Sequence, residues 1–204
     1  MDTFLQLNRH KLTATFVRLS LILLGLVSVV LLIAYLTGNF PTGQLLIAIL
    51  LVTAIGFPLF VMFLGYIGWQ INHKARIKAF SKVPFSDVEN IGFVKAYIGD
   101  NSKWVFADEI KKGKFNGFTL TMDVSKEKGH TLEFDIPTKW KKLDKNDYSR
   151  LTEKFKQHNI EFRMGSLVKQ YDPRQSQLQT VSELKRDLEL TTTILLQEGF
   201  EPKT

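Results

Sequence analysis

Three residues on or beside one strand are of the types that acid/base chemistry uses: His130, Glu133 and Asp135. Carboxylates two positions apart on a strand project from the same face, and paired carboxylates are the usual equipment of general acid/base catalysis. That face is opposite Leu132, Phe134 and Ile136, which is where an antiparallel strand carries its solvated residues. His130 falls on the apolar parity, beside a turn. The cluster therefore reads as a solvated strand face, and a membrane-bound enzyme using Glu133 and Asp135 is the third of three functional readings. The four histidines (His10, His73, His130 and His158) have neither HxH nor HxxxH spacing, so they give a metal site little support. With no cysteine in the chain, disulfides, thiolate nucleophiles and cysteine-ligated zinc or iron–sulfur centres are excluded. There is no glycine-rich phosphate loop, serine nucleophile elbow or kinase signature, and no catalytic residue, metal or cofactor is expected.

The remaining chemistry is that of surfaces. The net charge is +7, and Lys74, Arg76, Lys78 and Lys82 follow one another with no acid before Asp87. A cluster of this kind beside a membrane is expected to rest on anionic lipid headgroups, at roughly 1 kcal/mol per residue. Lys139, Trp140, Lys141 and Lys142 form a second candidate contact, since an aromatic between lysines suits a lipid interface. The competing reading packs Trp140 under the next helix and leaves the lysines solvated. Nucleic acid is a weaker reading of the same charge.

The elements that position these residues begin with two apolar runs, 19–36 and 45–69, and no Asp, Glu, Lys, Arg or His lies between residues 19 and 69. Eighteen helical residues rise about 27 Å, close to the roughly 30 Å hydrocarbon core of a bilayer. The pair is expected to form a transmembrane hairpin after a basic leader, residues 1–18. The uncharged turn between the runs and the cations flanking both outer ends place both termini in the cytoplasm by the positive-inside rule, with Tyr35, Phe40, Tyr66 and Trp69 as interfacial aromatics. Gly25 and Ser28 on the first helix, and Ala54, Gly56, Gly65 and Gly68 on the second, are small enough for close helix packing, within the hairpin or between copies. Pro58 is expected to kink the second helix.

A basic linker, residues 70–86, leads to a cytoplasmic α+β domain, residues 87–204, with an antiparallel sheet and two helices. Ser86 with Glu89 has the form of a capping box. Alternation from Phe93 to Ile98 and again around Trp104 and Phe106 predicts a hairpin, and Lys111-Lys112-Gly113-Lys114 through Asn116-Gly117 reads as a basic turn region. Phe118, Leu120, Met122 and Val124, then Leu132, Phe134 and Ile136, predict two half-buried strands. Asp144 caps a helix that buries Tyr148, Leu151 and Phe155 and stops at Asn159. A strand through Ile160 and Phe162 follows, returning at Leu167-Val168. The last helix, about 181–198, ends at Gly199 and Pro202, and its heptad stripe (Val181, Leu184, Leu188, Thr191, Leu195) packs on its own domain.

A two-helix hairpin followed by a strand meander and a helix resembles, in element order, bacterial membrane-anchored proteins with a pleckstrin-homology-like domain. The resemblance covers residues 91–158 of the soluble part. It implies a binding or scaffolding module without catalysis and transfers no functional residues. The leading functional reading is thus a membrane-anchored module for a partner protein or the inner leaflet. The second is a self-assembling effector or immunity-type protein with a sensing domain.

Overall fold

The structure, a computed structural model, describes residues 3–99, 105–125, 131–139, 142–163, 165–172 and 178–203. The chain forms two compact units. One comprises Met1–Ile71 with Ile98–Asp108, the other Asn72–Tyr97 with Glu109–Thr204. The boundary falls inside a helix, and the connection after the first strand clusters with the helical unit.

In the helical unit, α1 (Phe4–Leu36) starts far upstream of the apolar run, so the basic leader is helical. Its first turn is held by a capping box: Gln6 N–H donates to the Thr3 hydroxyl, and the Gln6 side chain accepts from Thr3 N–H. The second helix is continuous over residues 43–80 in three pieces: α2 (Gly43–Leu51), a π turn (Val52–Gly56) and α3 (Phe57–Phe80). At 33 and 38 residues these helices run about 50 and 57 Å. Both are long and apolar enough to cross a membrane.

The region of Pro58 has a specific geometry. Pro58 has no N–H for the carbonyl of Ala54, and the strain is taken up as a π turn rather than a simple kink, with Phe57 N–H reaching back to Val52 O. The freed Ala54 carbonyl accepts from the Ser20 hydroxyl of α1 at 2.7 Å. In apolar surroundings an unpaired carbonyl is costly, and a hydroxyl on a neighbouring helix is a standard remedy.

The other unit is built on a six-stranded sheet in the order β1-β2-β3-β4-β6-β5. The strands are β1 (Val94–Ile98), β2 (Asp108–Phe115), β3 (Phe118–Val124), β4 (Leu132–Pro137), β5 (Ile160–Arg163) and β6 (Ser166–Tyr171). Each pairing from β2 onward is antiparallel. The expected basic turn region is instead the body of β2. Only Asn116 and Gly117 turn, at φ 47° and 84°, and they set the register Phe115 against Phe118 and Lys111 against Met122. Gly113 lies under the Phe93 ring, where a Cβ would come within 3.0 Å of ring carbons. Phe106, expected on a strand, precedes β2 and belongs to the helical unit.

Alternate residues of β3 and β4 are buried: Phe118, Leu120, Met122, Leu132, Phe134 and Ile136. They meet Ala79 and Phe80 from the end of α3, Leu151 and Phe155 of α4 (Lys145–Lys156), and Leu184, Leu188 and Leu195 of α5 (Val181–Gln197). Phe134 is central, with Phe93, Tyr171 and Phe85 at ring-centre distances of 5.6, 5.4 and 6.4 Å. Asp144 caps α4 by accepting from Asp147 N–H at 2.8 Å. Thr180 and Glu183 form a capping box on α5. Two local expectations fail. Residues Phe85–Ile91 form a 3₁₀ turn with no side-chain cap, Ser86 donating instead to the Asp87 carboxylate. Tyr148 is 49% exposed rather than buried, lying against Phe162.

Candidate binding surfaces

In the sheet unit the expected cationic cluster divides. Lys74 and Lys78 are exposed and Lys82 is half-buried. Arg76 is only 8% exposed and forks onto Asp123, with Nε and Nη2 donating at 2.6 and 3.0 Å. It therefore leaves the headgroup-contact set: a guanidinium held this way cannot also reach a lipid phosphate. One sequence signal points to its burial. Arg76 is four residues before Phe80 and seven after Trp69, both buried, so it shares their helical face.

Of the second cluster, Lys139 pairs with Glu201 at 2.7 Å, both largely exposed, and Lys142 is exposed. Trp140 and Lys141 lie outside the described residues, as does His130. Lys142 borders an open groove of about 570 Å³ whose floor is Leu143, Tyr148, Phe162, Leu167 and Phe200. Lys142, Lys145 and Arg163 stand on the rim, and Asp144 is the one acid among the lining residues. The aromatic floor is continuous: Tyr148 to Phe162 is 5.2 Å and Phe162 to Phe200 6.2 Å, with the fully buried Phe155 in contact with both Phe162 and Phe200. Tyr148 and Phe200 are 52 positions apart in the sequence, and the return of the chain end towards β4, where Thr138 bridges Pro202, accompanies the placing of Phe200 at the groove.

The carboxylate pair is not a solvated face. Glu133 is buried, with Arg163 donating to both of its oxygens at 2.7 and 2.5 Å and Gln170 donating at 3.4 Å, while Asp135 is half-buried. Both Glu133 oxygens are engaged, so the side chain is positioned as an ion-pair partner and not as a free base. Among the described residues no group of three His, Asp or Glu side chains stands close enough to hold a metal ion.

A second buried polar cluster sits on the core side of β6, where neither charge nor spacing in the sequence signals it. Lys169 Nζ donates to His158 O at 2.7 Å and lies 3.0 Å from Asp187. The Tyr171 hydroxyl also donates to Asp187. Burial, and next the negative charge of Asp187, hold the Tyr171 phenol well above its ordinary pKa. Every polar head in the cluster has a partner, which is how a charge is tolerated there.

In the helical unit, Gly25 and Gly68 face open space, Gly56 meets only its own Val52, and Ser28 bonds back to Leu24 O in its own helix. The contact between the helices uses Ala54 with Ser20. Gly65 admits the Phe106 ring, where a Cβ would come within 2.7 Å of it. Pro58 is buried. Trp69 is also buried, not interfacial: its indole N–H donates to Ala107 O at 3.0 Å and its ring lies 5.0 Å from Phe4. Asn8 grips the same residue from α1, accepting from Ala107 N–H at 2.6 Å and donating to Ala107 O at 3.0 Å. Lys11 donates to the carbonyls of Gly99 and Val105. Gly99, Val105 and Ala107 are thereby held to the long helices by side chains the sequence had marked only as leader and aromatic belt.

Comparison with protein-family models, with curated proteins and with solved structures finds no match. The functional reading rests on the chain's own residues.

Proposed function

We propose that this chain is an integral membrane protein with both termini in the cytoplasm, whose α+β domain is a non-catalytic binding module for a partner protein or the inner leaflet. The observation that carries the proposal is the outer surface of the two long helices. Residues 19–69 contain no Asp, Glu, Lys, Arg or His, and Leu21, Leu26, Val30, Leu32, Ile47 and Phe60 are each more than half exposed. An apolar surface of that extent far exceeds what a water-soluble monomer leaves uncovered, and hydrocarbon is the solvent it suits. Support for a binding role comes from the exposed Lys74 and Lys78 and from the groove beside Lys142. The engaged oxygens of Glu133 count against a catalytic role. The resemblance to pleckstrin-homology-like domains is part of the same proposal, since it too implies binding without chemistry.

A self-assembling effector is the second reading, favoured by one observation: the small positions Gly25 and Gly68 meet nothing within a single copy. Light scattering and mass spectrometry on the purified full-length protein separate the two. A monomer or dimer carrying a stoichiometric second protein or retained anionic lipid supports the binding module. A defined homo-oligomer free of both, from a chain whose expression depolarises cells, replaces it with the effector.

A further inference from the structure

The groove at the start of α4 combines two properties that together specify a ligand class. Its floor is aromatic and aliphatic, with Tyr148 exposed and Phe162 half-buried. Three cations and a single acid line it, and that acid, Asp144, is already engaged as the cap of α4. Arg163 is tied to Glu133, which leaves Lys142 and Lys145 as the cations free to meet an incoming charge among the described residues. A volume of about 570 Å³ lies within the range of small-molecule sites. An apolar trough that also carries exposed lysines complements a molecule with one greasy chain and one negative head. A neutral apolar ligand would make no use of the lysines, and a small polar anion would make no use of the floor.

We propose that this groove binds a single-chain anionic lipid, of the fatty-acid class, drawn from the bilayer. The proposal rests on the membrane-anchored reading above, because the bilayer supplies such amphiphiles at high local concentration to a tethered domain. The acyl chain lies on Phe162 and Tyr148, and the carboxylate meets Lys142 and Lys145. An acidic helix from a partner protein is the competing occupant.

The test uses full-length protein in phosphatidylcholine nanodiscs with a palmitate analogue carrying a diazirine on its chain. After irradiation and digestion, labelled peptides are located by mass spectrometry. The expected result is labelling of the apolar spans and, separately, of peptides containing Tyr148 and Phe162. Excess palmitate competes the groove label away, and hexadecanol at the same concentration does not. The surface double variant Lys142→Glu/Lys145→Glu lowers groove labelling about tenfold, as reversing two charges on an exposed anion site should, and leaves span labelling unchanged. Labelled spans with an unlabelled groove overturn the proposal and return the groove to a protein partner. Equal competition by hexadecanol overturns the anionic specificity. Unlabelled spans overturn the membrane reading itself, a separate failure.

Discussion

The two units treat the same kinds of side chain in opposite ways. In the helical unit most leucine and isoleucine side chains are exposed, and several side chains serve backbone groups: Ser20 at the carbonyl that Pro58 releases, and Asn8, Lys11 and Trp69 on the backbone of Gly99, Val105 and Ala107. In the sheet unit the apolar side chains are inside, and buried charges are paired with opposite ones: Arg76 with Asp123, Arg163 with Glu133, Lys169 with Asp187, and Glu109 with Lys95 and Lys111. One pattern suits a solvent that cannot hydrogen-bond, the other a solvent that can. The difference teaches that polarity in this chain is placed by the needs of the backbone in one half and by the needs of charge in the other.

The contrast is sharpest for deletion of an apolar side chain. Phe134→Ala removes a fully buried ring that meets three others and is expected to cost about 3–5 kcal/mol in urea unfolding of the sheet unit. Leu26→Ala, at a residue 61% exposed on α1, is expected to leave that transition unchanged. Similar losses at both positions would break the comparison.

Charge deletion should be of similar size in the sheet unit. Arg76→Ala strands the Asp123 carboxylate and is expected to cost about 3–5 kcal/mol, whereas an apolar double replacement of Arg76 and Asp123 recovers much of it. A single-variant loss below about 1 kcal/mol would show the pair to be solvated like an ordinary surface bridge. A smaller effect is expected at Gly113→Ala, where the added Cβ presses on Phe93, at about 1–3 kcal/mol in the same assay. Ser20→Ala should cost the helical unit about 1 kcal/mol by leaving the Ala54 carbonyl without its donor, seen as faster amide exchange across residues 52–58.

The smallest effect is in pH. Glu198 is held below the ordinary carboxylate range, chiefly by the hydrogen bond from Lys154 and then by Arg150. A depressed carboxyl contributes stability above its unfolded pKa, and that contribution is lost as pH falls through the folded value. The sheet unit should therefore weaken on acidification, and Glu198→Gln should flatten that part of the profile. Tyr171 has the opposite sign: its phenol is raised, so stability is lost as pH rises past about 10, and Tyr171→Phe removes the alkaline limb.

Local pattern was a good guide wherever one face of an element decides its fate. The alternation of β3 and β4, the Asn116-Gly117 turn, the Asp144 cap and the exit of α5 at Gly199 are all legible from neighbouring residues. Strand β2 was hidden because its core-side parity holds Lys111 and Gly113. Lys111 is accommodated by Glu89 as well as by Glu109 two positions away, and Gly113 by the Phe93 ring, so that Glu89 and Phe93 are partners the local pattern does not show. The same holds for the polar contacts. Arg76 and Asp123 are 47 residues apart, Glu133 and Arg163 30, and Ser20 and Ala54 34. Each of these residues carries a donor or acceptor, and its partner is chosen by register, which composition and periodicity do not encode. The groove floor joins α4, β5 and the chain end by the same tertiary logic.

The absence of cysteine makes the central claim directly measurable. Thr42→Cys, an exposed position between the two long helices, and Lys203→Cys, exposed near the chain end, each add a unique thiol. A membrane-impermeant maleimide is applied to intact cells and then to lysed ones. A membrane hairpin with both termini in the cytoplasm predicts that Thr42→Cys is labelled in intact cells and Lys203→Cys only after lysis. Labelling of neither site until lysis, with the protein in the soluble fraction, or labelling of Lys203→Cys in intact cells, would contradict it.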